Sequence, residues 1–298
     1  MDKNNDTNNR QNQTNINWYP GHMAKTKRLI GEKLDLIDIV YEVVDARMPF
    51  SSKIKDLDVI IKDKPRIMIM TKKDLCDNNE TQKWVKYYEQ KGYIVLLMDI
   101  INNFQKKPLL DLTKKLMKTI NEKRAKKGLL ERKARVLIIG IPNVGKSTLI
   151  NSLVKKKVVN VGNKPGVTKE LSWIRISDDI ELLDSPGILW PKIDEGNIAY
   201  NLASLTAIKE DILPIYDVAY YILKMLYKYY PNILKERYGI EELHEDFIDD
   251  FEKIGRKRGC IAKGNEIDYD RVVGIIINDV KSGNIKNITF DRHDEMGV

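Results

Sequence analysis

The segment Gly140-Ile141-Pro142-Asn143-Val144-Gly145-Lys146-Ser147 decides the fold of this chain. It fits the pattern GxxxxGK[ST], follows a predicted strand over 135–139 and opens a predicted helix over 146–156. Glycines let the backbone curl so that N–H groups face phosphate oxygens, and the helix N-terminus adds its positive dipole. The alternative is a chance glycine turn before an amphipathic helix. We predict a phosphate-binding loop formed by Asn143, Val144, Gly145, Lys146, Ser147 and Thr148.

A second phosphate-side element, Asp184-Ser185-Pro186-Gly187, lies about forty residues further on, at the end of a predicted strand. A carboxylate there can hold a metal through water, and the N–H of Gly187 can contact a γ-phosphate. DxxG alone is usually a plain turn, but after a phosphate-binding loop it favours a nucleotide switch. Between the two, Thr168 of PGVT could complete the shell of Mg²⁺ when a γ-phosphate is bound, although PGVT alone is more often a surface turn. We predict Mg²⁺ ligands at Ser147, Thr168 and Asp184.

The base-reading element is predicted at Thr71-Lys72-Lys73-Asp74, directly after a predicted strand over 66–70. The carboxylate of Asp74 can accept hydrogen bonds from guanine N1–H and N2–H, whereas adenine presents an acceptor at N1, so the element selects GTP. Lys72 would lay its aliphatic stem against the base. Alone, this tetrapeptide is better explained as a solvated strand-to-helix turn. It precedes the phosphate loop by about 70 residues, whereas it follows that loop in an ordinary GTPase, so the chain order must be circularly permuted.

The remaining pattern predicts an α/β fold: a circularly permuted P-loop GTPase domain with a mixed, mainly parallel sheet, followed by a small all-α domain. Strands alternate with helices up to about residue 156, and 171–176 with 180–183 reads as an antiparallel hairpin. Beyond about Pro191, apolar residues recur at helical spacing over 198–213, 218–230, 245–254 and 268–281. We predict a disordered tail over 1–17, the GTPase domain over 18–192 and a helical domain over 193–298.

Composition narrows the classes of partner. The 298 residues carry a net charge of +8, which favours an anionic partner such as nucleic acid, a phosphate ligand or an anionic membrane surface. Cys76 and Cys260 are isolated, which argues against a disulfide framework and a zinc site. No apolar run approaches the roughly 18 to 20 residues that cross a bilayer, and the polar N-terminus has no signal-peptide character. We therefore expect a cytoplasmic protein without a membrane partner. We also expect a monomer.

Six motifs run through nearly the whole chain after the tail: WYPGHMAK (18–25), DARMPFSS (45–52), TKKD (71–74), GIPNVGKST (140–148), PGVTK (165–169) and DSPGILWPK (184–192). This set in this order resembles the circularly permuted ribosome-assembly GTPases, most closely the bacterial ribosome biogenesis GTPase A family. The resemblance implies an enzyme that hydrolyses GTP to GDP and phosphate with Mg²⁺. It further implies a role in late maturation of the large (50S) ribosomal subunit: the protein binds the precursor and its rRNA in the GTP state and leaves after hydrolysis.

Two positions depart from the family pattern. The family normally has Asn where Thr71 stands, so we expect weaker nucleotide affinity with guanine preference retained through Asp74. The fifth nucleotide element, normally containing Ser, should fall at Met98-Asp99-Ile100, where the match is poor. Backbone contacts of Asp99 and Ile100 to the base are carried over from the family.

The catalytic machinery is only partly visible in the sequence. The residues after DSPG are Ile188, Leu189 and Trp190, none of which can orient the attacking water, so intrinsic turnover should be slow and stimulated by the ribosomal subunit. The resemblance suggests His22 of PGHM as the water-orienting group, although the residues alone favour an exposed histidine at a helix start. Lys146 of the phosphate loop, which would reach the β- and γ-phosphates, is the second predicted catalytic residue. Asn143 resembles the residue that supports K⁺ activation in some GTPases. Asp45 and Arg47 fit either a functional contact or a buried ion pair.

Candidate RNA contacts come from two regions. Arg256, Lys257 and Arg258 lie in the predicted helical domain, which resembles the family's RNA-contacting module, although a solvated loop is the ordinary explanation for such a run. Residues 106–135 carry twelve Lys/Arg against three Asp/Glu, whereas 201–298 carry fourteen against eighteen. The basicity therefore lies in the GTPase domain. A nucleotide-gated RNA-binding module with incidental hydrolysis is the alternative function, and a membrane-associated signalling GTPase has little support.

Overall fold

The computed structural model describes residues 16–17, 21–154, 156, 158, 171–187, 192–193, 196–208, 213–244 and 246–297. Most strands in these residues form one six-stranded sheet. Two short strands form a separate antiparallel pair at Ile16–Asn17 and Lys192–Ile193. In chain order the strands are β1 (Ile16–Asn17), β2 (Ile39–Asp45), β3 (Arg66–Thr71), β4 (Ile94–Leu97), β5 (Ala134–Ile139), β6 (Ser172–Arg175), β7 (Ile180–Asp184) and β8 (Lys192–Ile193).

The large sheet has the spatial order β4, β3, β2, β5, β7, β6. Neighbours pair in parallel except β6 and β7, which pair antiparallel with Ser172 opposite Asp184. The predicted hairpin and the mixed, mainly parallel sheet are therefore confirmed. Strand β2 lies near the middle and is buried at all seven positions, as expected for a parallel strand covered on both faces.

Helices cover both faces of the sheet. Tyr41 and Val44, which point to opposite faces of β2, show the two layers. The hydroxyl of Tyr41 lies 2.5 Å from that of Thr113 on one face, whereas Val44 packs in a cluster with Trp84 on the other. The helices of this half are α1 (Gly21–Lys33), α2 (Leu57–Ile61), α3 (Asn78–Gln90), α4 (Lys107–Ala125) and α5 (Lys146–Val154).

The C-terminal region is helical, as predicted, but its boundaries differ. The helix predicted over 198–213 ends at Ser204, because Thr206 adopts a left-handed backbone with φ of 53°. A helix that the pattern did not predict starts at Pro231 and stops before Gly239, whose φ is 75°. The helices are α6 (Gly196–Ser204), α7 (Ile215–Tyr229), α8 (Pro231–Tyr238), α9 (Phe247–Arg258) and α10 (Tyr269–Lys281).

The two halves share one hydrophobic core and a buried polar contact. Asp291, near the C-terminus, is fully buried and accepts hydrogen bonds from the backbone N–H groups of Phe50 and Ser51 at 2.7 and 2.8 Å. Its other oxygen accepts from the hydroxyl of Ser51 and from the side-chain amide of Asn201. The DARMPFSS segment is thus bonded directly to the C-terminal region.

The antiparallel pair of β1 and β8 includes the last two residues of the predicted N-terminal tail. Residues 16–17, predicted to end a disordered tail, form β1 and pair with β8. No helix within the described ranges combines the length and apolar character needed to cross a bilayer.

Candidate nucleotide-binding site

The predicted phosphate-binding loop leaves the end of β5 and enters α5 at Lys146. Gly140 has no room for a side chain, since a Cβ there would lie 2.4 Å from the carbonyl oxygen of Val43. Gly145 has φ of +97°, a conformation that only glycine adopts without strain. The turn therefore requires both glycines of the motif.

Lys146 lies within this loop and is buried. Its Nζ donates to the carbonyl oxygens of Gly140 at 2.9 Å and Ile141 at 2.7 Å. Burial lowers the pKa of Lys146 to about 8, and the carboxylate of Asp184 opposes part of that shift. An ammonium group held in this way, with little water around it, is suited to bind the oxygens of a polyphosphate.

The DSPG element lies beside the loop because β7 is the parallel neighbour of β5. Asp184, opposite Ile138, is buried at the end of its strand. Gly187 passes so close to the loop that a Cβ there would lie 2.8 Å from the backbone nitrogen of Pro142. The half-buried hydroxyl of Ser147 and the carboxylate of Asp184 are the oxygen ligands that Mg²⁺ prefers, so these residues fit the metal. Thr168 lies outside the described residues.

The base-reading element is joined to the phosphate loop by two hydrogen bonds. The hydroxyl of Thr71, fully buried at the end of β3, donates to the carbonyl oxygen of Val144 at 2.5 Å. Nζ of Lys72 donates to the carbonyl oxygen of Asn143 at 2.7 Å. The two elements form one site although about 70 residues separate them in the sequence, as the permuted order requires. Thr71 therefore makes its own contact to the phosphate loop through its hydroxyl.

On the base side, Asp74 and Asp99 are linked by a residue that the sequence reasoning missed. The side-chain amide of Asn102 donates to Asp74 Oδ2 at 3.2 Å and lies 3.4 Å from Asp99 Oδ1. Asp99 Oδ1 also accepts from the N–H groups of Ile101 and Asn102, so this carboxylate shapes its own turn. The side chain of Ile100 packs in the core, which leaves only its backbone for a nucleotide. No motif marks Asn102 in the sequence.

Asp45 and Arg47 form a buried ion pair, which decides between the two alternatives that the sequence left open. Nε and Nη2 of Arg47 donate to the two carboxylate oxygens of Asp45 at 3.0 and 2.9 Å. Nη1 of Arg47 donates to the carbonyl oxygen of Val280 in α10, and Lys72 approaches Asp45 to 2.8 Å. Burial alone would raise the pKa of Asp45, but Arg47 and Lys72 outweigh it and hold that pKa well below its usual range. The pair connects the base-reading element with the helical region.

Asn143 contacts a turn that follows α6. Its side-chain amide donates to the carbonyl oxygen of Thr206 at 2.6 Å and approaches the hydroxyl at 3.1 Å. Thr206 is β-branched and has φ of 53°, a strained conformation for such a residue. Both the left-handed backbone of Asn143 and this turn are thus fixed by tertiary contact.

His22 lies in the first turn of α1, a few residues after β1. Strand β1 pairs with β8, which follows DSPG closely in the sequence. The structure therefore places residues 16–17 beside residues 192–193. Residues 188–190 lie outside the described part of the chain.

The basic run at 256–258 forms the last turn of α9 and is therefore helical, whereas the alternative explanation was a solvated loop. Gly259 ends the helix with φ of 68°. Arg256 and Lys257 are exposed, and Nζ of Lys257 donates to the carbonyl oxygen of Glu236 at 3.1 Å. Cations at a helix C-terminus are favoured by the dipole, which supplies a structural reason for the run.

Known proteins share both the sequence and the fold. A family described as 50S ribosome-binding GTPase matches residues 135–248. Ribosome biogenesis GTPase A of Bacillus cereus is 43% identical over 282 residues, which cover 95% of each chain. The chain belongs to the ribosome biogenesis GTPase A family. The Thermotoga maritima member is 32% identical, over 94% of this chain and 96% of its own.

Solved structures agree with that membership in the ribosome biogenesis GTPase A family. GNP-bound YlqF from T. maritima is 28% identical and superposes with a TM-score of 0.63, covering 90% of this chain and 98% of its own. GDP-bound TM YlqF gives a TM-score of 0.64 with the same identity. The chain is therefore a ribosome-assembly GTPase that binds guanine nucleotide, with Mg²⁺ as the usual metal of such sites.

Proposed function

We propose that this protein acts late in maturation of the large (50S) ribosomal subunit, as a monomer in the cytoplasm. It binds the precursor in the GTP state and leaves after hydrolysis. The observation that carries the proposal is the hydrogen-bonded union of the base-reading and phosphate-binding elements through Thr71 and Lys72. These two hydrogen bonds support a single site for guanine and the phosphates, in a chain that aligns with a member of its family over nearly its whole length.

Slow intrinsic hydrolysis, stimulated by the subunit, is the second part of the proposal. The side chains of Ile188, Leu189 and Trp190 offer no group that could orient water. We assign that role to His22, with Lys146 neutralising charge on the phosphates. The pairing of β1 with β8 supports this assignment because β1 lies shortly before His22 in the sequence and β8 lies shortly after DSPG.

Single-turnover GTP hydrolysis tests this assignment in the presence and absence of purified large subunits. His22→Ala should abolish most of the stimulation while leaving GTP affinity unchanged, since His22 belongs to no binding element. His244→Asn, which alters a histidine paired with Asp250 in the helical region, is the matched control. Equal stimulation of the wild type and His22→Ala would exclude a catalytic His22. A wild type that binds subunits without any stimulation would favour the nucleotide-gated RNA-binding module.

K⁺ activation is a further part of the proposal and depends on Asn143. The amide nitrogen of Asn143 is held by Thr206, which fixes the orientation of the whole amide group. Its oxygen is then the group we assign to K⁺. Turnover should be several-fold faster in KCl than in NaCl at equal ionic strength, and Asn143→Ala should remove the difference. Equal turnover in KCl and NaCl would exclude activation by K⁺.

RNA contact is proposed for two surfaces, the end of α9 and the basic part of the GTPase domain. Arg256 and Lys257 are exposed at the end of α9, and lysines and arginines there can hold rRNA phosphates. The larger positive charge lies at residues 106–135. Charge-neutralising variants of each surface, compared for binding to large subunits, measure the share of each.

A further inference from the structure

A groove of about 630 Å³ lies between α4 and the chain that leads into β5. One wall carries Lys114 and Lys118, and the other carries Arg132 and Lys133. Met117, Ala134 and Ile180 form its apolar part. We call this feature the α4 groove. It lies at the start of β5, whereas the phosphate loop lies at the end of that six-residue strand, roughly 20 Å away at about 3.3 Å per residue.

Two of the four cations in the α4 groove have carboxylate partners. Lys114 lies 3.5 Å from Asp179, and Arg132 pairs with the buried carboxylate of Asp38 at 2.5 Å. These two cations are therefore partly neutralised by the protein itself.

The other two cations, Lys118 and Lys133, are exposed and form no ion pair with any residue that the structure describes. They lie on opposite walls of the groove, and their ammonium groups attract an anion. Glu122 and Glu131 also line the groove, so a phosphate would bind beside the two lysines rather than along its whole length.

The positive wall is fixed in place by hydrogen bonds to α4. The side-chain amide of Asn121 donates to the backbone carbonyl oxygen of Arg132 at 3.2 Å, and the backbone N–H of Arg132 donates to the amide oxygen of Asn121 at 3.3 Å. Nε and Nη2 of Arg124 both donate to the carbonyl oxygen of Leu130, at 3.1 and 3.0 Å. The segment that carries Lys133 is therefore held against the helix, so an anion would meet a preformed surface.

The residues along the groove also indicate which form of nucleic acid fits. No aromatic side chain is among those that line it in the described part of the chain, so it offers no stacking platform for unpaired bases. Lysines are point charges that bind phosphate without reading sequence. Base-paired RNA is recognised mainly through its backbone and shape, which matches this chemistry.

We propose that the α4 groove binds the phosphate backbone of base-paired RNA, with Lys118 and Lys133 as its principal contacts. This inference rests on the proposed function, because it names where the GTPase domain meets RNA. The groove is remote from the phosphate loop, so it anchors the protein without taking part in hydrolysis.

The test compares the full-length double variant Lys118→Gln/Lys133→Gln with a control, Lys86→Gln/Lys91→Gln, which removes two exposed lysines from the α3 side of the sheet. A labelled 20-base-pair RNA hairpin is the probe, titrated by fluorescence anisotropy across salt concentrations. Removing one lysine that binds a phosphate should reduce the slope of log K against log salt by about 0.9, so the groove variant should show a slope smaller by about 1.8. At 0.1 M salt this corresponds to binding weaker by roughly 10- to 60-fold. Intrinsic GTP turnover should be unchanged in both variants.

Wild-type affinity and salt slope in the groove variant would overturn the inference. The inference would also be overturned if the groove variant lost the binding of the wild type to phosphatidylglycerol vesicles but kept its binding to the hairpin. That result would indicate that the groove binds a membrane surface. Sedimentation with large subunits separates this inference from the proposed function. If the wild type fails to sediment with subunits, the proposed function fails; if it sediments and the groove variant does so equally well, only the groove assignment fails.

Discussion

Replacing Thr71 by Val would test whether the hydroxyl of Thr71 holds the nucleotide site together. Valine has nearly the same shape, so the substitution removes the hydroxyl without leaving a large cavity. The carbonyl oxygen of Val144 is then deprived of a 2.5 Å hydrogen bond in a fully buried setting. Leaving a buried partner unsatisfied costs about 1 to 3 kcal/mol. Because that carbonyl belongs to the phosphate loop, we expect about 1.4 kcal/mol to appear in binding, which is roughly a tenfold higher Kd for GTP.

Equilibrium titration with a fluorescent GDP and GTP analogue measures this change. The matched control is Thr113→Val, which also removes a buried hydroxyl, one that donates to the carbonyl oxygen of Leu109 at 2.7 Å on α4. Both variants should unfold at lower denaturant concentration, but only Thr71→Val should raise the Kd. If the two variants share a Kd within about twofold, Thr71 does not couple the two elements, and the reasoning is refuted.

Three further results follow from the buried charges of the molecule. Lys146 has a pKa of about 8 in the free protein, and bound phosphates should raise that pKa because they favour the charged ammonium group. The Kd for GTP should therefore increase by up to about tenfold per pH unit above pH 8. The Lys146→Met variant should bind GTP weakly at every pH without that dependence, which isothermal titration calorimetry between pH 7 and 9 measures. Burial raises the pKa of Asp291 to about 6, so its carboxyl group binds a proton more readily in the folded protein than in the unfolded chain. Its contribution to stability is therefore complete below about pH 4 and is lost as the pH rises through 6. The decrease should approach about 3 kcal/mol in urea unfolding between about pH 3 and pH 7.5, of which about 1.4 kcal/mol falls between pH 5 and 7.5. A stability that is unchanged between pH 5 and 7.5 in the wild type relative to Asp291→Asn would contradict it. Arg47→Met should lower the free energy of unfolding by about 3 kcal/mol, because the buried carboxylate of Asp45 loses its hydrogen bonds from the guanidinium and keeps Lys72 beside it. Lys235→Met, which breaks the exposed pair with Glu241, should cost under about 1 kcal/mol, and equal decreases would argue against a buried pair.

The local geometry of the phosphate loop could be predicted from the sequence because its glycines have only one physical use there. Gly140 and Gly145 mark a close backbone approach and a left-handed residue, and both requirements are visible in the residue type. The hairpin formed by β6 and β7 could also be predicted from residue types, because the turn residues Ser177, Asp178 and Asp179 separate two apolar runs.

Features fixed by tertiary contact could not be predicted in this way. Helix α2 has five residues and begins after Asp56 in a left-handed conformation, so it carries too few residues for a periodic pattern. The early end of α6 depends on Thr206, whose strained backbone no propensity indicates and whose carbonyl oxygen accepts from Asn143. The Asp45–Arg47 pair was foreseen as one of two alternatives, but its bond to Val280 joins residues 233 positions apart. Such contacts are determined by the assembled core.

In the proposed function, the nucleotide state of the protein controls its binding to the ribosome. Sedimentation of the purified protein with large ribosomal subunits, in GDP and in a non-hydrolysable GTP analogue, tests it most directly. We predict that the protein pellets with the subunits in the analogue and stays in the supernatant in GDP. Equal recovery in the pellet with both nucleotides would contradict the account.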